Sequence, residues 1–505
     1  SWNAFSTGNT EDLTMAMADS IIRLGLDKLG YQYVVLDDGC YLPERVNGLL
    51  VNEPVKFPGG FAALGEYLHA RGLKFGMYND IGARLCSGAY VGTCGHEKDD
   101  AKLYAEWGVD FMKVDNCYYL WDNATFSDAE NAKYVFAPNI KTIRISGEGF
   151  DTTLDAVRDG RLYGQMARKA EGFVTDIGTF DGTGPGPSPV GVRSGELIFL
   201  VTVPKDGVYT LSAEYATAHR EGQGSWLQVA VSTEPGRLYY DGFVPESEDA
   251  ETFVRNCITE LPLKVGNNEI RLMNHRRQEN TLCSYATLLE ELNKAKPGHD
   301  ILLSICEWGK TQPQNWGYKV GDSWRILNDI TFRVGSDGNA GFGAWKDGYT
   351  PSVTSQYNKA VIMDSFAGLD KGWNDPDMLE VGNGLSDAEN RAHFAMWCMM
   401  AAPLILGNDI TAMSPETLAI ITNKDLIAID QDPLGIQGLR LKKDGDLQYW
   451  FKPLEGGDWA FCILNRTEEP ASLEINWQDF NLTDDEVSHL STSFDKITYT
   501  VNDLW

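Results

Sequence analysis

Three largely apolar runs, each closing on polar groups, punctuate the first third of the chain: Tyr33-Val34-Val35-Leu36-Asp37-Asp38, Lys74-Phe75-Gly76-Met77-Tyr78-Asn79-Asp80 and Asp110-Phe111-Met112-Lys113-Val114-Asp115. Between them the helical period predicts helices over 14–28, 61–70 and 97–107. A strand buried on both faces reads as a continuous apolar run. Such runs roughly 35–40 residues apart, with helices between, indicate parallel βα units. Polar residues gather at the C-terminal end of each run, where barrel enzymes place their chemistry. The opening residues Trp2-Asn3-Ala4-Phe5 also read as strand.

From about residue 138 to 282 the helical signals vanish. Leu197-Ile198-Phe199-Leu200-Val201-Thr202-Val203, Val208-Tyr209-Thr210-Leu211, Leu227-Gln228-Val229-Ala230-Val231 and Asn268-Glu269-Ile270-Arg271-Leu272 are short strands. Turn signals at 182–187 and 264–268 lie beside them, so the stretch predicts a β-sandwich. The βα pattern resumes with helices over 285–295, 355–367, 387–400 and 415–429 and strand ends at 301–308, 324–326, 372–375 and 403–406. Without the insert, residues 1–432 come close to the ~250 residues of an eightfold barrel. Beyond Pro433 the text is β-like again, as in Leu447-Gln448-Tyr449-Trp450-Phe451. The expected fold is α/β: a (β/α)8 TIM barrel in two parts, 1–137 and 284–432, with a β-sandwich at 138–283 inserted after strand 4. A C-terminal antiparallel β domain at 433–505 follows, reading as cut short at Trp505.

A formal net charge of −29 over 505 residues repels phosphate backbones and argues against nucleic-acid partners. No apolar run reaches the ~18 residues of a membrane span, so no membrane partner is expected. Fourteen Trp and 21 Tyr offer faces that stack on sugar rings, although large cores use them too. Nine cysteines without a C-x-x-C spacing give little support to a zinc site. Neither metal nor cofactor is expected. No charged, apolar, small-residue leader precedes Ser1. Either none exists or the sequence starts after it, and a secreted or periplasmic location is the expectation. Oligomeric state stays open.

Asp37, Asp38, Asp80, Asp115, Glu307, Asp329, Asp375 and Asp377 all stand at or near the ends of expected strands. Hydrolysis of a glycosidic bond needs two carboxyl groups flanking the anomeric carbon, one ionised and one carrying a proton. One Asp at a strand end is usually a helix cap or an ion-pair partner. A set of them at successive strand ends points to a carbohydrate-active barrel.

Seven motifs in order resemble glycoside hydrolase family 27: Trp2-Asn3-Ala4-Phe5, Leu36-Asp37-Asp38, Lys113-Val114-Asp115-Asn116-Cys117, Cys306-Glu307-Trp308-Gly309, Ser323-Trp324-Arg325 with Asp329, Gly372-Trp373-Asn374-Asp375-Pro376-Asp377-Met378-Leu379, and Met400-Ala401-Ala402-Pro403-Leu404. The resemblance implies a retaining exo-alpha-galactosidase with Asp115 as nucleophile and Asp329 as general acid/base. Their carboxyl groups should then lie about 5–5.5 Å apart. It assigns Asp37 and Asp38 to O4 and O6 of a terminal galactose, Trp2 to the floor under the sugar and Tyr78 to the pocket wall. Arg325 and Asp377 are assigned to O2. Lys113 is expected to hold Asp115 ionised. Glu307 is expected near the 2-hydroxyl, which favours galactose over N-acetylgalactosamine. Cys86 and Cys117 match a family disulfide.

Three features depart from that family. Gly39 is an extra residue before Cys40, Lys310 replaces a common apolar residue, and the insert falls after the Asp115 strand. The insert resembles carbohydrate-binding modules of the family 6 and 35 type, through 207–212 and 263–270. Alternative activities are alpha-N-acetylgalactosaminidase and beta-L-arabinopyranosidase. A non-catalytic sugar-binding protein is a further alternative, which the intact Asp115 and Asp329 disfavour.

Overall fold

The computed structural model describes every residue except 83, 94, 118–136, 165–166, 181–192, 218–224, 235–236, 275, 299, 332–344 and 346–350. The expected turn at 182–187 therefore lies outside the described residues. The chain divides into two compact units. One comprises Ser1–Asp80, Leu85–Asn116 and Ala286–Trp505, and the other Ile81–Arg84 and Cys117–Tyr285.

In the first unit, six parallel strands pair in chain order as the sheet of a TIM barrel: Tyr33–Val35, Lys74–Asp80, Val109–Asp115, Leu302–Cys306, Ser323–Arg325 and Trp373–Asp375. Every residue of Lys74–Asp80 after Lys74 is buried, as the apolar run predicted. The register sets Tyr78, Lys113 and Ser304 in one row and Asp80, Asp115 and Cys306 in the next, so the chemistry collects at the C-terminal end. The Glu11–Leu24 helix starts on Thr10, whose side chain accepts from Leu13 N, and stops at left-handed Gly25. Its buried Thr14, Ala18 and Ile21 recur at the helical period.

Four expectations need correction. Trp2–Phe5 is one helical turn, not strand. Phe5 N bonds Ser1 O at 3.1 Å, and buried Asn3 donates to Glu380 across 377 residues; four residues carry too little pattern to show this. The 415–429 helix is two helices, Pro415–Ile421 and Lys424–Asp430, because Asn423 caps the second through Asp425 N and Leu426 N. The 355–367 helix runs only over Val353–Ala360, with a separate 3-10 turn at Asp364–Phe366. Residues 403–406 supply one parallel bridge, Leu406 to Leu379, rather than a laddered strand.

The second unit is an antiparallel β-sandwich. One sheet is built on Arg193–Val203, Trp226–Val231 and Gly266–Met273, the other on Asn139–Gly147, Gly207–Ala216 and Val254–Leu263. Alternate residues such as Ile143, Ile145, Phe199, Val201, Leu211 and Leu272 meet in its core.

At the C-terminus of the first unit, Leu439–Asp444, Leu447–Pro453 and Trp459–Asn465 form an antiparallel sheet over Tyr449, Phe451 and Phe480. Trp450 Nε1 ties this sheet to the Val353–Ala360 helix by donating to the Tyr357 hydroxyl at 2.9 Å. Among the described residues no helix is long and apolar enough to cross a membrane.

Candidate active site

Asp115 closes the Val109–Asp115 strand and is 5% exposed. Its two oxygens are in different states. The Tyr78 hydroxyl donates to Oδ2 at 2.8 Å, while Oδ1 is buried without a hydrogen bond among the described residues. Cys86 Sγ lies 3.2 Å from Oδ2, and Cys86 and Cys117 are both disulfide-bonded, as expected. Burial pushes the Asp115 carboxyl up to about 6, against the opposing charge of Lys113 and with the help of Asp37 and Asp329. The group is thus mostly ionised at pH 7. Lys113 is the main group opposing that rise: its ammonium stands 3.9 Å from Asp115 Oδ1 while it bonds Asp37 at 2.8 Å.

Across the site, Asp329 is the open carboxylate, with a side chain 38% exposed. Trp308 Nε1 and Arg325 both donate to its Oδ1, at 2.9 and 3.0 Å. Arg325 also reaches Asp377 Oδ2 at 2.6 Å. Asp377 adopts φ 79, a left-handed conformation unusual outside glycine. Its oxygens are fixed further by Met378 N and Ile330 N, at 2.8 and 2.7 Å. Burial raises Asp377 to about 6 despite Arg325, and raises Asp375 as well.

Asp37 and Asp38 sit just past the first strand, both buried. Lys113 holds Asp37 below the usual carboxylate range against the opposing effect of burial, whereas burial raises Asp38. The extra Gly39 has φ +94 and passes 2.9 Å from Thr7 Cβ at the place a Cβ would occupy, so the turn demands glycine. Trp2 is half-buried on its helical turn.

Glu307 follows the Leu302–Cys306 strand. It is 0% exposed, and Thr311 binds both its oxygens: N at 2.9 and 2.8 Å, and Oγ1 at 2.6 Å. The carboxylate closes the 307–311 turn. Left-handed Trp308 and Gly309 shape that turn, and Gly309 presses against Ile326 O with no room for a Cβ. Asp80 lies in the Asp115 row but is fully buried, its carbonyl accepting from Thr93 N and Oγ1. Lys310 stacks its ammonium on the Trp308 ring at 4.2 Å.

Sequence reasoning missed three partners: Ser87 on Asp38, Trp308 on Asp329 and Cys306, whose Sγ is 3.6 Å from Arg325 Nη1. Only the last two had a signal, since they belong to a quoted motif. The assembled site opposes two cations, the half-buried Lys113 and the buried Arg325, to five buried carboxylates, Asp37, Asp38, Asp115, Asp375 and Asp377. A surplus of fixed negative charge suits a transition state that develops positive charge at the anomeric carbon.

The family model described as Alpha galactosidase A matches residues 5–137 and 242–432. The model of the alpha galactosidase C-terminal beta sandwich domain matches 444–505. The second matched range starts inside the sandwich unit, whose last strand ends at Met273. Alpha-galactosidase A of Cellvibrio japonicus is 28% identical over 511 residues, covering 100% of this chain and 84% of that protein. An alpha-galactosidase of Oryza sativa subsp. japonica is 27% identical over 508 residues, covering 100% and 77%. The crystal structure of alpha-galactosidase I from Mortierella vinacea shares the fold, with a TM-score of 0.58 at 24% identity over 95% of this chain and 83% of that one.

Proposed function

The chain belongs to the alpha-galactosidase A family and is a glycoside hydrolase acting on terminal alpha-linked galactose, and we propose that it does so by double displacement on Asp115 and Asp329. The observation that carries the assignment is the asymmetry of Asp115. Tyr78 fixes Oδ2, and the unbonded Oδ1 keeps a lone pair for attack on the anomeric carbon.

In the first step Asp115 Oδ1 bonds the anomeric carbon as the bond to the leaving oxygen breaks, and Asp329 gives that oxygen its proton. In the second step Asp329 takes a proton from water, whose oxygen displaces Asp115 and releases galactose with its configuration retained. Among the described residues both side-chain hydrogen bonds on Asp329 fall on Oδ1, which leaves Oδ2 to carry the proton. Asp37 and Asp38 accept from the O4 and O6 hydroxyls, Arg325 and Asp377 meet O2, and Trp2 floors the ring. Glu307 acts on the O2 corner through the shape of its turn.

Release of nitrophenol from the alpha-galactoside, the alpha-N-acetylgalactosaminide and the beta-L-arabinopyranoside, measured side by side, tests this reading. The galactoside is expected to give the highest kcat/KM. Faster turnover of either competitor would replace the substrate assignment, and no turnover of any would return the chain to the sugar-binding class.

A further inference from the structure

Asp37 and Asp38 are neighbours that are held by different means. Asp37 is bonded by the Lys113 ammonium at 2.8 Å. Asp38 has no cation partner among the described residues; instead one exposed residue, Ser87, donates to both of its oxygens. Ser87 N reaches Oδ2 at 2.8 Å and Ser87 Oγ reaches Oδ1 at 2.9 Å. Asp38 is 2% exposed beneath these bonds.

Ser87 sits on a tight turn in which Gly88 N bonds Leu85 O at 2.8 Å and Leu85 N bonds Ala89 O at 2.9 Å. Gly88 supplies the φ of +94 that the turn requires. The preceding residue, Cys86, is disulfide-bonded and lies 3.2 Å from Asp115 Oδ2. One short turn therefore touches both the attacking carboxylate and the carboxylate expected to read a sugar hydroxyl.

We propose that Ser87 is a positioning residue that sets sugar specificity by fixing the plane of the Asp38 carboxylate. The inference rests on the galactosidase reading. A carboxylate has about four lone-pair sites, and the torsion that turns it is broad. Two donors from one rigid turn remove that freedom, so the remaining lone pairs face one direction and accept from a hydroxyl in one place. The Oγ bond is the part a substitution can remove, because the backbone N–H persists.

The test compares kcat/KM of the wild type, Ser87→Ala and Ser87→Thr on 4-nitrophenyl alpha-galactoside and on its 4-deoxy and 6-deoxy analogues. Loss of a hydrogen bond to a charged group predicts about a tenfold fall for Ser87→Ala on the parent sugar. The analogue lacking the hydroxyl that Asp38 reads should fall by less than about twofold, because that variant has little recognition left to lose. Ser87→Thr keeps the hydroxyl and should recover most of the parent rate. The parent-to-deoxy ratio is internal to each variant, so partial loss of folded enzyme cancels. Equal falls on all three substrates, or no change in any, overturn the role. A wild type inactive on the galactoside overturns the galactosidase reading and this inference together.

Discussion

Replacing Tyr78 by Phe removes one oxygen and little else. The side chain is fully buried, so the ring of Phe fills the same space, and the backbone carbonyl that accepts from the Tyr41 hydroxyl at 2.9 Å is untouched. Among the described residues the Tyr78 bond to Oδ2 is the hydroxyl hydrogen bond on the Asp115 carboxylate, and Oδ1 has none. A buried hydrogen bond to a charged group contributes about 1.5–3 kcal/mol. That sum favours the ionised form alone, and at ~1.4 kcal/mol per pKa unit it corresponds to about 1–2 units. The Asp115 carboxyl, now pushed up to about 6 by burial, would rise further. The acid limb of kcat/KM should therefore move up by about 1–2 pH units. The assay is the pH profile from acid to alkaline on 4-nitrophenyl alpha-galactoside, whose leaving group needs little protonation. Activity at pH 6 should drop about 5- to 50-fold, and the loss should shrink as pH rises. An acid limb that stays in place in a folded Tyr78→Phe enzyme would refute the reasoning.

Asp329→Ala should lose most on raffinose and least on the nitrophenyl galactoside, with azide restoring part of the rate; equal losses on the two substrates would contradict the acid role. Stability should fall as pH rises from about 4 to 7. Burial raises Asp100 and Asp430 to about 7 and Asp115 and Asp377 to about 6, all from 3.8, so the folded chain holds more protons than the unfolded one across that window. His96, His393 and the Ser1 amine, lowered by burial, oppose the trend, and a Tm higher at pH 7.5 than at pH 5 would show that they win. Replacing residues 139–274 by a Gly-Ser bridge should spare nitrophenyl galactoside turnover and raise KM for branched galactosides if the sandwich binds glycan. An unchanged ratio of kcat/KM between the two substrate classes rejects that role.

The barrel was legible because strands buried on both faces must be apolar throughout, and 33–36, 74–78 and 109–114 are nearly so. The carboxylates that close them were legible for the same reason, since a charge at the end of such a run needs a site. The sandwich was legible only in part. Strand Asn139–Gly147 alternates Ile140, Thr142, Ile143, Arg144 and Ile145 irregularly, and Val254–Leu263 is interrupted by Pro262, so neither stood out. The helix at Arg276–Ala295 begins well before the expected residue 285 because its first turns are polar and lack an apolar stripe. What stayed hidden at the site is tertiary. Lys113 is shared between Asp115, two residues away, and Asp37, which lies 76 residues back in sequence yet accepts its hydrogen bond. Glu307 is captured by a threonine four residues on, a local bond that the motif alone does not announce. Ser87 meets Asp38 across 49 residues, with no pattern in either segment to mark the pair.

The claim on which the account rests is that Asp115 forms a covalent bond to the sugar. Incubation with a 2-deoxy-2-fluoro-galactosyl fluoride, followed by intact-mass and peptide mass spectrometry, tests it directly. The fluorine slows both steps, and the reactive leaving group lets the first outrun the second, so the intermediate accumulates. The account predicts one fluorogalactosyl group per chain, attached to the peptide containing Asp115 and absent from Asp115→Ala. A label on another carboxylate, or full turnover of the reagent with inverted stereochemistry and no label, would contradict it.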